Sequence, residues 1–254
     1  MNKGKIIKTT ISVFILISIW WLITGMDIVS SYILPSPYKV LDSFFKMLKT
    51  GEIFEDIYIS YIRVLKGFFI ATLTAFLFAM IRVIFPKCND YYENIVQFLK
   101  NVPPLSLISL LILWFGIGET TKIGVIVLTA FFPIYLNTVK GFESCDTKLL
   151  EVGKIYGYSK INSFFKIRLP YAMADILVGM RIGLGYSWRA IISAEMIAAS
   201  AGLGHMILFA QQMSRTDKVI VGILVIGIVG YITDRLFAFI IDKTMKGSES
   251  NGWD

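Results

Sequence analysis

Charged residues, histidine and cysteine are all scarce in this sequence. Only 17% of its 254 residues are charged and 56% are hydrophobic, against roughly 25% charged residues in an ordinary soluble domain. A soluble core of this size needs a polar surface, which so few charges do not supply. The two cysteines, Cys88 and Cys145, are too few for a disulfide framework, so we expect free thiols. The one histidine, His205, predicts no metal site.

Long apolar runs take the place of the missing charges. Five stretches contain no charged residue, at residues 9–26, 67–81, 101–118, 123–139 and 219–233. A sixth stretch, at residues 171–199, is interrupted by a few charged positions. A helix needs about 20 residues to cross a bilayer, and flanking Lys and Arg side chains can reach the headgroups. The runs show no strict apolar–polar alternation, so they are not strands of a membrane barrel.

We therefore predict an all-α integral membrane protein that forms a single domain over residues 1–254. Six transmembrane helices are expected, at residues 9–26, 63–84, 97–118, 122–141, 171–196 and 218–241. The segments on the N-terminal side of the membrane carry more Lys and Arg than those on the opposite side, which predicts that both termini are cytoplasmic. This topology accounts for the net charge of +7, so membrane lipid is an expected partner and nucleic acid is not.

The predicted outer segment at residues 27–60 is more than a linker. Ser36 followed by Pro37 predicts a helix that begins with a capping side chain and a proline in its first turn. The apolar residues that follow recur at helical spacing, at Leu41, Phe44, Phe45 and Leu48. Such an amphipathic helix either lies flat on the outer membrane surface or packs on the other helices, and the pattern fits both arrangements.

Two consecutive prolines interrupt the start of the third predicted span, in the segment Asn101-Val102-Pro103-Pro104. Proline has no backbone N–H, so a regular helix loses hydrogen bonds there, and we expect a break. The break is either a simple kink where the helix enters the membrane or a functional discontinuity against protein or a water-filled cavity. Both interpretations stay open.

The inner connection at residues 142–170 is long for a tie between two helices. Asp146 or the residue after it can cap a first short helix, and Gly157 can take the left-handed conformation that ends it. Ser159 is expected to cap a second helix that closes at Leu169-Pro170. Both helices are amphipathic with basic residues around the apolar ones, which is typical of a surface that binds a soluble cytoplasmic partner.

The same connection has a distinctive spacing of fixed positions. Glu151 is followed six residues later by Gly157, and the segment ends in Leu169-Pro170. This spacing resembles the EAA loop of ABC-importer permeases, which docks into a cleft of the ATP-hydrolysing subunit, although two alanines of that pattern are replaced here. The resemblance implies a cytoplasmic coupling helix, with an ATPase-coupling role for Glu151, Val152, Gly153, Tyr156, Gly157, Ile167, Leu169 and Pro170.

Further matching segments extend over most of the chain. They include residues 34–37 (LPSP), 63–67, 102–104, 113–119 (LWFGIGE), 179–182 (GMRI) and 188–204. Together they resemble the permeases of the nitrate, taurine and aliphatic-sulfonate type. The resemblance implies a type I ABC importer permease-like fold in a bacterial cell membrane and transport of a small anionic solute. It also implies a homodimer of this chain, two ATP-binding subunits on the cytoplasmic side and an extracytoplasmic solute-binding protein.

The sequence contains no phosphate-binding loop of the type Gly-x-x-x-x-Gly-Lys-Ser/Thr. We therefore expect no catalytic residue and no cofactor in this chain, with ATP and magnesium bound by the partner ATPase. An alternative function is an ion-gradient-driven carrier or channel that acts without an ATPase. Such a carrier needs acidic residues at mid-membrane on several spans, whereas only the fifth predicted span has charges well inside it.

The charges in the fifth predicted span are Arg181, Arg189 and Glu195. An ionisable residue at membrane depth costs at least about 2.5 kcal/mol unless it faces a partner or water. A structural interpretation pairs each arginine with helix carbonyls or with an acid such as Asp175 or Asp234. In a functional interpretation, at least one arginine lines the translocation cavity and favours an anionic solute. The candidate pathway residues are then Arg181, Trp188, Arg189 and Glu195.

Overall fold

The computed structural model describes residues 3–26 and 28–249. Within this part of the chain every regular element is a helix, as the composition predicts. The eleven helices are α1 (Lys3–Gly25), α2 (Pro37–Thr50), α3 (Glu52–Ile84), α4 (Pro86–Leu99), α5 (Ile108–Phe115), α6 (Glu119–Glu143), α7 (Thr147–Ile155), α8 (Lys160–Ser163), α9 (Leu169–Ala198), α10 (Leu203–Gln212) and α11 (Thr216–Glu249). A 3₁₀ turn at Pro104–Leu107 precedes α5, and a π-helical turn at Phe164–Arg168 joins α8 to α9.

Several helices are long and apolar enough to cross a membrane. In the described residues α3, α6 and the part of α11 at Thr216–Lys243 each satisfy this condition alone. Two bent pairs of helices raise the number to five if each pair counts as one span. Helix α1 adds a shorter apolar segment, Thr10–Gly25. The chain is therefore an all-helical protein with at least three apolar spans.

The predicted outer segment at residues 27–60 contains α2 and the first turns of α3. Ser36 caps α2 as expected, accepting a hydrogen bond from the Lys39 N–H at 3.4 Å, and Pro37 occupies the first turn. Helix α2 ends at Gly51, whose φ of +80° is the left-handed conformation. Helix α3 then begins at Glu52, so its first turns lie within the segment that the sequence predicts to be outside the membrane. Acidic residues in the first turn of α3 favour this early start, because they face the positive end of the helix dipole.

The third predicted span is not one straight helix. Helix α4 ends at Leu99, and the chain turns before the 3₁₀ turn and α5. The segment Tyr91–Leu99 and the segment Pro104–Phe115 are bent by 95° with respect to each other. The predicted break is confirmed, because Pro103 and Pro104 supply no backbone N–H to carry a regular helix across this segment.

Helix α6 lies between α3 and α9 and forms the centre of the bundle. The face of α3 towards it is a stripe of fully buried small residues, at Ala71, Ala75 and Ala79. The backbone of α9 also approaches α6 closely, since a Cβ added to Gly183 would lie 2.6 Å from Ile134 of α6. Small residues let helix backbones approach closely, and van der Waals packing drives helix association where lipid surrounds the bundle.

Candidate functional site

The inner connection folds into a capped hairpin made of α7 and the start of α8. The side chain of Asp146 accepts a hydrogen bond from the Lys148 N–H at 2.9 Å and so caps α7. Gly157 has a φ of +74°, which confirms the predicted left-handed conformation after α7. The Tyr158 N–H then donates to the Gly153 carbonyl at 2.9 Å, closing the turn. These hydrogen bonds fix the direction in which the chain leaves α7.

The second half of the hairpin differs from the prediction. Ser159 caps α8 as expected, accepting from the Asn162 N–H at 3.2 Å. The helix does not close at Leu169-Pro170, however, but continues through the π-helical turn into α9. The Leu169 N–H donates to the Phe164 carbonyl across this wider turn. Pro170 lies in the first turn of α9, where a missing N–H is tolerated, so the proline does not end the helix.

A glycine brings α7 close to the π-helical turn. Gly153 is buried, and a Cβ added there would lie 2.6 Å from Cδ1 of Ile167. The contact therefore depends on the small size of residue 153, one of the two positions that depart from the EAA pattern. Ile167, which makes this contact, and Leu169 are both half-buried. The hairpin is thus packed as a unit against the base of α9.

The tip of the hairpin exposes a group of large apolar side chains. Ile155 is 83% exposed and Tyr156 is 75% exposed. Further exposed apolar residues of the hairpin and the π-helical turn are Leu149, Val152, Ile161 and Phe165. Glu151 and Gly157 are also exposed, as is Pro170. Several exposed apolar side chains on one short hairpin are a feature that protein interaction sites share.

Helix α9 carries the in-span arginines, and one of them is neutralised. The guanidinium of Arg181 donates two hydrogen bonds to the carboxylate of Asp234 on α11, at 2.8 and 2.7 Å. This two-point pairing is the geometry that a planar guanidinium favours with a carboxylate. It agrees with the structural interpretation for Arg181. The other suggested acid, Asp175, instead pairs with Lys140 at 3.2 Å.

Arg189 is exposed and pairs with no carboxylate among the residues that the structure describes. Its guanidinium lies over the ring of Tyr186, 5.4 Å from the ring centroid. It lines a cavity of about 580 Å³ between α9 and α11, which also touches Trp188 and Asp234. Trp188 is buried, and its indole N–H has no hydrogen-bond partner within the described part of the chain. Arg189 is therefore the unneutralised cation of this cavity.

Glu195 lies in a different environment, near the far end of α9 from the hairpin. Its side chain is fully buried and accepts hydrogen bonds from the Ser60 hydroxyl and from Arg63, each at 2.8 Å. Arg63 also binds Glu119 at the start of α6 through two hydrogen bonds, at 2.8 and 2.6 Å. Lys122 adds a contact to Glu119 at 2.6 Å. We call these five residues the buried ion cluster; Glu119 lies at its edge, with a side chain that is 58% exposed.

The buried ion cluster also holds the beginning of α10. The backbone N–H of Gly204 donates to Glu195 at 3.0 Å, and that of Leu203 donates to Ser60 at 3.0 Å. Gly202 has a φ of +112°, and a Cβ there would lie 2.5 Å from Oε1 of Glu195. Its N–H donates to Asp56 at 2.8 Å. Side chains from two other helices thus satisfy the first N–H groups of α10.

The sequence did not reveal this cluster, because its members lie far apart in the chain. The available signal was the occurrence of Arg63, Glu195 and the Gly202-Leu203-Gly204 segment in matching stretches. The geometry explains the two glycines. A Cβ at Gly202 would meet the carboxylate of Glu195, and a Cβ at Gly204 would meet the Ile192 carbonyl oxygen and Cβ of Glu195. The geometry also separates Glu195 from Arg189, which the sequence had grouped as candidate pathway residues.

The described residues offer little sign of a metal site or of a reactive histidine or cysteine. No group of three or more His, Cys, Asp or Glu side chains there is placed to hold a metal ion. His205 lies over Phe209, with ring centroids 6.1 Å apart. Cys145 is a buried free thiol, and burial raises its pKa, which disfavours the reactive thiolate. The side chain of Cys88 lies outside the described part of the structure.

The sequence of the chain is similar to those of transport permeases. The family described as "Binding-protein-dependent transport system inner membrane component" matches residues 67–246. The chain is 35% identical to the putative aliphatic sulfonates transport permease protein SsuC of Bacillus subtilis, covering 93% of this chain and 86% of that protein. It is 30% identical to the taurine transport system permease protein TauC of Escherichia coli, covering 87% of this chain and 82% of that protein.

A third relative and a solved structure extend these comparisons. The nitrate import permease protein NrtB of Synechocystis is 29% identical, covering 93% of this chain and 88% of that protein. A crystal structure of an amino acid ABC transporter with histidines has a TM-score of 0.64 at 13% identity, covering 80% of this chain and 97% of that chain. That likeness shows the fold. The chain therefore belongs to the binding-protein-dependent transport system inner membrane components, the permease subunits of ABC importers.

Proposed function

We propose that this chain moves a small anion across the bacterial cell membrane and is driven through the hairpin by a separate ATP-hydrolysing subunit. The observation that carries the proposal is the exposed apolar tip formed by Ile155 and Tyr156. Such side chains favour burial in a partner's cleft, because removing apolar surface from water is favourable. The capping hydrogen bonds of Asp146 and Ser159 present the tip in one fixed orientation.

The helical path behind the hairpin supports a coupling role. From the start of α8 the chain is helical through the π-helical turn to the end of α9. Leu169 and Glu195 are separated by 26 positions, which corresponds to about 40 Å at about 1.5 Å per residue. A displacement of the hairpin by the ATPase therefore reaches the opposite end of α9 without an intervening loop. This continuity fits rigid-body rocking between two access states.

The proposed assembly follows the family and the sequence. The chain lacks a phosphate-binding loop, so ATP and magnesium belong to two ATPase subunits on the cytoplasmic side. Six spans with both termini in the cytoplasm place the hairpin on that side and the start of α10 outside. An extracytoplasmic binding protein delivers the solute to the outer face. A second copy of this chain closes the cavity between α9 and α11, which is open in a single copy.

The arginines of α9 support an anionic solute and divide the roles among the candidate residues. The charge of Arg181 is compensated by Asp234, whereas that of Arg189 is free within the cavity. We assign the attraction of the anion to Arg189, with Trp188 forming part of the same wall. Arg181 and Glu195 hold helices together in this assignment. The named relatives transport sulfonates, taurine and nitrate, whose negatively charged groups match a free guanidinium.

The experiment that tests the proposal is co-purification of the chain with its ATPase from the native membrane. The variant pair Ile155→Ala and Tyr156→Ala, combined in one chain, is expected to lose most of the bound ATPase. The matched control combines Tyr91→Ala and Ile95→Ala, which remove exposed side chains of the same two types from α4. Retention of the ATPase by the hairpin variant contradicts the proposal. ATP-independent uptake by vesicles that contain only this chain supports the ion-gradient carrier instead.

A further inference from the structure

A second cavity, of about 250 Å³, lies between the hairpin and the end of α3. One wall consists of the last turn of α3 and the first residue of α4, and the other consists of α7, α8 and the π-helical turn. We call this cavity the basic pocket. It is lined by Val83, Ile84, Pro86, Leu150, Lys154, Tyr158, Lys160, Ser163, Phe164 and Arg168.

The charged residues of the basic pocket are all cationic. Lys154, Lys160 and Arg168 line it, and no acidic side chain does. None of the three forms an ion pair or a side-chain hydrogen bond with another residue that the structure describes. Arg168 is half-buried, which makes an uncompensated guanidinium there costly. Lys154 and Lys160 are exposed at the rim, so the three cations together make this cavity attractive to an anion.

Neutral donors complete the polar side of the pocket. Ser163 and Tyr158, which both carry a hydroxyl group, belong to the lining. The ring of Tyr158 is held beneath the ammonium group of Lys166, which lies 4.8 Å from the ring centroid. A phosphate group accepts several hydrogen bonds and carries a negative charge, so it matches this set of donors and cations. The pocket is thus built for a phosphate-sized anion.

The apolar wall points to the source of that phosphate. Val83 and Ile84 end the apolar span α3, and Phe164 lies opposite them in the π-helical turn. The end of a transmembrane helix lies at the level of the lipid headgroups. Basic pockets between helices on the cytoplasmic side bind anionic headgroups, whose glycerol and acyl parts need an apolar surface. A free inorganic anion has no apolar part that could be buried against such a wall.

We propose that the basic pocket binds the headgroup of an anionic phospholipid, with its phosphate held by Lys154, Lys160 and Arg168. The lipid then bridges the hairpin and the end of α3. This binding does not depend on the identity of the solute or on the ATPase. If the hairpin is the coupling element proposed above, the same lipid ties the position of that element to the composition of the inner leaflet.

The test is native mass spectrometry of the full chain in neutral detergent with added phosphatidylglycerol or phosphatidylcholine. The unmodified chain is expected to retain phosphatidylglycerol in preference to phosphatidylcholine. Combining Lys154→Gln, Lys160→Gln and Arg168→Gln is expected to weaken phosphatidylglycerol binding about a hundredfold, since each cation near the headgroups contributes about 1 kcal/mol. The matched control combines Lys87→Gln, Lys100→Gln and Lys148→Gln, which removes the same charge from exposed positions outside the pocket. It is expected to bind like the unmodified chain.

A charge-preserving variant separates lost binding from lost folding. The combination of Lys154→Arg, Lys160→Arg and Arg168→Lys keeps three cations and is expected to retain phosphatidylglycerol. Equal retention by the pocket variant and the control variant would overturn the proposal, as would the absence of any preference over phosphatidylcholine. Inorganic phosphate is added in a separate arm. If it displaces phosphatidylglycerol at millimolar concentration, the pocket is a free-anion site and the lipid assignment is wrong.

Discussion

The guanidinium of Arg63 donates a hydrogen bond of 2.8 Å to the carboxylate of Glu195, across 132 positions of the chain. Glu195 is fully buried and Arg63 is only 7% exposed. The pair joins α3 to α9, and Glu119 extends the contact to the start of α6. These are the three helices at the centre of the bundle, so this end of the molecule is held by charges rather than by apolar packing alone.

Removing the acid of this pair is expected to destabilise the chain strongly. Breaking a buried ion pair costs about 3–5 kcal/mol, because the remaining charge stays buried without its full compensation. Glu195→Ala should lower the unfolding free energy by an amount of this order, measured by unfolding the purified chain in detergent. Asp42→Ala is the control, since Asp42 pairs with Lys46 at an exposed position. It should cost less than about 1 kcal/mol, and equal losses in both variants would contradict the account.

The second prediction concerns Gly204, whose backbone N–H donates to the carboxylate of Glu195. A Cβ at Gly204 would lie 2.3 Å from the Ile192 carbonyl oxygen and 2.7 Å from Cβ of Glu195. Backbone cannot move away as a flexible side chain can, so Gly204→Ala should displace α10 and lower the melting temperature. Gly124→Ala in α6 places its Cβ 3.7 Å from Leu111, an ordinary contact, and should leave the melting temperature unchanged. Similar melting temperatures for the two variants would show that the close approach at Gly204 is unimportant.

The third prediction separates the two arginines of α9. Arg189→Gln removes the free cation of the cavity and should lower the initial rate of anion uptake about tenfold or more, since hydrogen bonds to charged groups contribute about 1.5–3 kcal/mol. Arg189→Lys should retain a larger share of the rate. Uptake of taurine, nitrate and an aliphatic sulfonate is measured in vesicles that hold the complete transporter.

The control for this prediction removes Arg181 together with its partner Asp234, so that the net charge of the cavity wall does not change. Arg181→Gln alone leaves Asp234 unpaired in the cavity wall, where its negative charge repels an anion. Combining Arg181→Gln with Asp234→Asn removes both charges and should restore most of the uptake. An equal loss of rate in this double variant and in Arg189→Gln would show that the free guanidinium has no special role.

The fourth prediction concerns the turn of the hairpin. Gly157 has a φ of +74°, a conformation that costs roughly 1–2 kcal/mol for most residues and less for asparagine. Gly157→Pro cannot adopt it at all, because the ring fixes φ near −65°. We expect Gly157→Pro to uncouple ATP hydrolysis from uptake while the chain remains in the membrane. Gly157→Asn should remain coupled, and full coupling in the proline variant would contradict a role for the turn.

Local features of the fold could be predicted from the sequence because their causes are local. The caps at Ser36, Asp146 and Ser159 and the left-handed Gly157 each depend on a few neighbouring residues. The break at Pro103 depends only on the missing N–H of proline. In each case the residue type restricts the backbone directly, so no knowledge of the tertiary structure is needed.

The remaining features depend on contacts between distant parts of the chain. Charge-free runs place the start of the second span near Arg63, but α3 begins at Glu52 because its charged residues find partners on other helices. Pro170 suggested a helix end, but the π-helical turn continues directly into α9 and Pro170 lies in its first turn. The pairing of Arg63 with Glu195 has no local pattern at all. Sequence therefore identified the caps and the turn of the hairpin, but it misplaced the end of the second helix and did not reveal the partners of Glu195.

The most direct test of the central proposal is photocrosslinking in native membranes, with a photoreactive amino acid in place of Tyr156 at the tip of the hairpin. Tyr91, which is 84% exposed on α4, is the matched control position. Mass spectrometry then identifies the crosslinked protein. We expect the product at position 156 to contain a nucleotide-hydrolysing subunit and the product at position 91 to lack it. A product at position 156 that contains only lipid or an extracytoplasmic protein would contradict the proposal that a separate ATPase drives this permease through its hairpin.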